Sequence, residues 1–166
     1  MNQPDTIAIV GVGLLGGSIA KAVQQRMPQT TVTGIGRDAA AMQNAQELGL
    51  LDEAGCDIGP VANADIVVVC TPVDRIATDV RAAVQHTKLG AVVTDVGSVK
   101  GAIVADLADL AADGRFVGSH PMAGSEKSGY QNADADMFVD AKCIVCLLYT
   151  SPSPRDATLS RMPSSA

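Results

Sequence analysis

Apolar positions along the chain fall into two alternating patterns. Short runs rich in β-branched residues, at 7–10, 31–35, 66–70, 91–95 and 116–118, are bounded by glycine, proline or polar clusters and predict strands. Between them apolar residues recur every three or four positions. Leu15, Ile19, Ala22 and Val23 mark a helix that opens near Leu14 and ends by Arg26 or Met27, ahead of Pro28. A second helix is expected over 39–48 with Gly49 as its stop, and residues 50–53 begin a connector. Ile76, Val80 and Val84 mark a third over 74–85, and a fourth follows the turn Val96-Gly97-Ser98 to about Leu110. The run 66–70 is apolar throughout, as expected of a strand buried on both faces. Regular alternation of strand and helix predicts a parallel sheet with right-handed crossovers, ligands binding at the C-terminal strand ends.

The first strand breaks directly into Gly11, Gly13 and Gly16, a G-x-G-x-x-G spacing. Gly11 allows the sharp turn, Gly13 lets backbone approach a pyrophosphate, and Gly16 lets the helix pack close to the strand. The free N–H groups of the first helical turn, at Leu14 and Leu15, then face the phosphates. A purely structural turn is the alternative. With the alternation around it, the motif predicts a Rossmann-type doubly wound α/β domain. Three further strand ends, Thr71-Pro72, residues 95–100 and the polar segment 119–129, are expected on the same sheet edge.

The second strand bears on the cofactor. It ends in Gly36 and Arg37, so a 2′-phosphate would meet no carboxylate at Gly36 and could be clamped by Arg37. NADP is therefore favoured, with NAD possible if Asp38 serves the ribose instead of capping the next helix. His120 is the candidate general base, since imidazole titrates near neutrality. The other histidine, His86, falls at the end of a solvent-facing helix and reads as a surface residue. Ser98, at the neighbouring strand end, could orient the imidazole or bond the nicotinamide ribose.

Composition narrows the class further. The 166 residues leave room for one ordinary domain; they are 47% hydrophobic but 2% aromatic and lack tryptophan, so the core must be Val, Ile, Leu and Ala. A net charge of −6 without a basic run argues against a nucleic-acid partner. No apolar stretch approaches the roughly 20 residues of a membrane span, and no basic-then-apolar leader precedes Ile7. A cytoplasmic protein without membrane contact is expected. Cys143 and Cys146 form a C-x-x-C without a second ligand pair, so no metal is expected and the thiols read as incidental.

Three segments, GVGLLGGS, DVGSVKG at 95–101 and GSHPMAGSEKSG at 118–129, together resemble the nucleotide-binding half of the prephenate and arogenate dehydrogenase family. The resemblance covers about residues 6–145, and its third segment is far more specific than the glycine motif. It implies oxidative decarboxylation of prephenate or arogenate with NAD(P)+ in tyrosine biosynthesis. By it, His120 would accept the substrate hydroxyl proton, Ser98 would hold His120 and the cofactor in register, and Ser125, Glu126 and Lys127 would line the substrate mouth. Similar proteins continue into a helical domain that forms a homodimer and adds substrate contacts; this chain is expected to stop short of it. A nucleotide-binding domain over 1–145 would then be followed by a non-native or disordered tail, 146–166, rich in serine and proline and resembling a translated sequencing adaptor. Two alternatives stay open: a dinucleotide-binding module without turnover, and an NAD(P)-dependent dehydrogenase of another substrate.

Overall fold

The computed structural model describes residues 3–146. Seven strands, β1 (Thr6–Val10), β2 (Thr31–Ile35), β3 (Glu53–Gly55), β4 (Ile66–Val69), β5 (Val92–Asp95), β6 (Phe116–Pro121) and β7 (Cys143–Cys146), form a sheet in the order β3-β2-β1-β4-β5-β6-β7. Pairing is parallel from β3 to β6 and antiparallel between β6 and β7. The order runs outward in both directions from β1 and β4. Their connections therefore part at this junction and leave a crevice at the C-terminal ends, where open α/β sheets bind ligands.

Side-chain alternation along the strands builds two cores. Ala8 and Val10 of β1, Val67 and Val69 of β4 and Val93 of β5 share one cluster with Ile76 and Val80 of α3 (Val73–His86), Ile103 of α4 (Lys100–Asp106), and Leu107 between α4 and α5 (Ala108–Ala112). Ile7, Ile9, Val32 and Val68 point the other way, toward Val23 of α1 (Leu14–Arg26) and Met42 of α2 (Ala39–Glu47). Both faces are thus covered, as the apolar run at β4 requires. Ile9 is fully buried, and removing a side chain of that size from water contributes about 2–3 kcal/mol.

The first two strands and first helix lie where the sequence places them, and the differences come later. β3 is a strand within the expected connector, held by parallel pairing of Thr33 with Glu53 and Ile35 with Gly55. The fourth helix is broken at Leu107, whose side chain is fully buried. β6 continues through Pro121, so Ser119 and His120 lie on a strand, not in a loop. β7 holds it there, aligning Ser119 with Val145 and His120 with Ile144. This antiparallel edge departs from the parallel pattern expected throughout. β7 also runs one residue past the expected domain end, and the remainder of the expected tail, 147–166, lies outside the described residues.

Candidate functional site

Gly11 makes the turn after β1 in a conformation that disfavours any side chain, at φ +93°, and a Cβ there would sit 2.9 Å from the backbone of Cys70 and Thr71. Its N–H is bound by the Ile35 carbonyl at 2.8 Å, which ties the turn to the end of β2. A Cβ on Gly16 would collide with the Gly11 carbonyl, so this glycine sets how closely α1 approaches β1. A Cβ on Gly13 would meet nothing within 4 Å. The first two are required by the protein's own packing, while Gly13 borders open space.

That space is a cleft of about 880 Å³. Gly11, Gly13, Leu14 and Leu15 line it from the turn, Gly36, Arg37 and Asp38 from the end of β2, and Thr71 and Pro72 from the end of β4. The helix end facing it carries no acidic residue and no side-chain cap, leaving first-turn N–H groups available for an anion. The Thr71 hydroxyl is buried without a hydrogen-bond partner. An open cradle at Gly13 and an orphaned hydroxyl at Thr71 both fit a polar ligand laid across the turn.

At the end of β2 the carboxylate of Asp38 accepts the N–H of Ala41 at 3.1 Å and caps α2. A Cβ on Gly36 would lie 2.6 Å from the Met42 sulfur, so a side chain there would require the Met42 thioether to shift. Arg37 is exposed at the cleft wall.

The turn after β5 is organised by a carboxylate with no solvent exposure. Asp95 accepts the N–H of Gly97 at 2.9 Å and of Ser119 at 3.2 Å, and pairs with Lys100. Ser119 in turn donates its hydroxyl to the Asp95 carbonyl at 2.6 Å. A buried carboxylate is tolerated only with such partners, and here they bind the end of β5 to β6 beside His120. Burial, with the Asp95 charge adding to it, pushes the Cys70 thiol up to about 12. His120 is half-buried, and its Nδ1 is enclosed without a hydrogen-bond partner. Ser98 is exposed on the β5 turn and makes no hydrogen bond to His120.

Beyond His120 the chain crosses back over α1. Tyr130 is buried, donates to Asn44 Oδ1 at 2.8 Å and packs on Gly17, where a Cβ would come within 3.0 Å of it. The Ser18 hydroxyl accepts the N–H of Asp134 at 3.0 Å, and Lys21 Nζ donates to the Ala133 carbonyl at 2.7 Å. These anchors bring Lys127, Ser128 and Gly129 to the wall of the cleft. Ser125 Oγ accepts the Lys127 N–H at 3.2 Å; Ser125 and Glu126 are exposed and lie outside the lining.

The model of the prephenate dehydrogenase nucleotide-binding domain family matches residues 19–159. The chain belongs to that family. Prephenate dehydrogenase of Bacillus subtilis (strain 168) is 39% identical over 149 residues, covering 85% of this chain and 39% of that protein. Among solved structures, Synechocystis arogenate dehydrogenase superposes with a TM-score of 0.80 at 32% identity, over 93% of this chain and 54% of that one. Prephenate dehydrogenase from A. aeolicus, in complex with hydroxyphenyl propionate and NAD+, gives 0.81 at 30%, over 97% and 56%. The chain spans about two fifths to a half of the length of the curated relatives it matches. Among the described residues no helix is long and apolar enough to cross a membrane.

Of the residues singled out from sequence in this family's domain, Gly11, Gly13, Leu14, Leu15, Arg37, Thr71, Pro72 and Lys127 meet at one cleft, with Gly16 beneath its turn. His120 and Ser98 lie outside its lining, at the ends of β6 and β5. Sequence reasoning missed Arg75 and Asp79 of α3 and Cys56, Asp57 and Ile58 after β3, all of which line the cleft. A signal for Asp79 was present: it follows Ile76 by three residues and so borders the apolar stripe of α3.

Proposed function

We propose that this chain is the cofactor-binding half of an NADP-preferring dehydrogenase that oxidatively decarboxylates prephenate or arogenate in tyrosine biosynthesis. The observation that carries the reading is that the loop following His120 forms a wall of the cleft that opens off the glycine turn. Proton acceptor and dinucleotide cleft are thus parts of one edge of the sheet.

The dinucleotide, when bound, supplies the hydride acceptor. Gly11, Gly13 and the N–H groups of Leu14 and Leu15 bind its pyrophosphate, Gly16 keeps that helix end in place, and Thr71 and Pro72 floor the cleft. Arg37 takes the 2′-phosphate, supported by the lack of a carboxylate at Gly36 and by the capping role that occupies Asp38. His120 accepts the proton of the substrate hydroxyl as hydride leaves the same carbon. Loss of the carboxylate as carbon dioxide leaves an aromatic ring, which drives the step. Ser98 is assigned to orient the imidazole and contact the cofactor, and Ser125, Glu126 and Lys127 to border the substrate. The reading carries with it a cytoplasmic enzyme that is homodimeric at the full length of its relatives.

In a version extended to that length, His120→Asn should lower kcat by about 100-fold or more while changing dinucleotide affinity less than about threefold. Steady-state rates with prephenate and arogenate, set beside dinucleotide titration, check this. Unchanged kcat with both substrates would remove His120 from the proton-accepting role.

A further inference from the structure

α3 packs against the 3-10 turn Gly59–Asn63, and where they meet Ile58, Ala82, Arg75 and Asp79 line the cleft. Asp79 projects from the second turn of α3 with its side chain 13% exposed. Its Oδ1 accepts from Arg75 Nη2 at 3.2 Å, while its Oδ2 is buried with no hydrogen-bond partner. A carboxylate oxygen enclosed without a donor is unfavourable, and a cleft ligand that brings an N–H relieves it. Arg75 fixes the orientation of the carboxylate and leaves this second oxygen free. Ile58 and Ala82 on either element give apolar contact suited to a flat ring.

We propose that Asp79 is a specificity-determining residue that reads the base of the dinucleotide, its Oδ2 accepting the exocyclic 6-amino group of adenine. This rests on the dinucleotide reading above and adds to it the residue that selects an amino purine. A 6-oxo purine in the same pose turns an acceptor toward the carboxylate, and pairing its N1–H with Oδ2 instead would require the base to shift in the cleft. Arg75 is a positioning residue here, acting through Asp79.

The test is calorimetric titration of the 166-residue chain with NAD+ and with nicotinamide hypoxanthine dinucleotide, which carries oxygen in place of the 6-amino group and a proton on N1. The wild-type chain should bind NAD+ about tenfold more tightly than the hypoxanthine analogue. Asp79→Asn should bring that ratio to about one, because an amide can present either its oxygen or its N–H to the base, and Asp79→Ala should do the same by removing the acceptor. Equal affinity of the wild-type chain for the two dinucleotides overturns the proposal whatever the variants do. A tenfold preference that persists in folded Asp79→Asn also overturns it. Absence of binding to either dinucleotide by the folded wild-type chain is a different result, overturning the underlying cofactor reading and this proposal with it.

Discussion

At the junction of β1 and β4, Ala8, Ile9, Val67 and Val69 have no exposure, and the glycine turn beyond them is fixed by contacts that leave no room for a side chain. At the other end of the sheet, Ile144 and Val145 of β7 are about half exposed, as are Met122 and Val139 in the segment leading to it. The cleft beside β1 is therefore shaped by packing on both faces. His120 instead belongs to a strand whose outer neighbour buries none of its four residues. Polar contacts hold that region: the Asp95 bonds to Gly97, Lys100 and Ser119. Such bonds fix direction and register, and they hold only while the partners of the buried carboxylate stay in place. The cofactor cleft is preformed by the core, whereas the position of His120 depends on local hydrogen bonds and on a thinly supported edge.

This contrast is sharpest in stability. Ile9→Ala should destabilise the chain by about 3–4 kcal/mol, since it opens a cavity where both layers are closed. Ile144→Ala should cost less than about 0.5 kcal/mol, because half of the side chain already meets solvent. Urea unfolding followed by circular dichroism measures both, and equal losses would break the comparison.

A smaller effect probes the same difference through thiols. Cys70 is partly buried at the cleft, its thiol raised to about 12 by burial first and the Asp95 charge second, while Cys56 and Cys143 are exposed. A thiol held that far above its ordinary range is scarcely ionised at pH 8. A thiolate-directed disulfide reagent should therefore label Cys56 and Cys143 in the native protein much faster than Cys70. The pKa is raised above its ordinary value of 9.0, so the contribution of Cys70 to stability is full below pH 9 and is lost as pH rises toward 12. Native-state labelling of Cys70 at the rate of Cys143 would show that its thiol is not held in the neutral form at the end of β4.

Legibility from sequence follows the same division. α1 was readable as Leu14–Arg26 because glycine spacing opens it, an apolar period runs through it and Pro28 follows it; β2 was readable as Thr31–Ile35 from its apolar, β-branched run. β3 was not, since Glu-Ala-Gly has neither the length nor the side chains of a strand and exists by pairing with β2. The extension of β6 to Pro121 depends on an antiparallel partner more than twenty residues downstream, and no local pattern announces it. The site divides likewise. The glycine turn, Arg37 and Thr71 are placed by local grammar, and they meet at the cleft. The Asp95 bonds to Ser119 and the packing of Tyr130 on Gly17 join residues far apart in the chain, so only the folded arrangement reveals them.

The central claim is that the cleft off the glycine turn holds a dinucleotide, with Arg37 favouring the extra phosphate. Titrating the folded chain with NADP and with NAD by calorimetry tests it most directly. The account predicts saturable binding of both, with NADP tighter. A chain that unfolds cooperatively yet binds neither would contradict it, leaving Gly11, Gly13 and Gly16 as a structural turn.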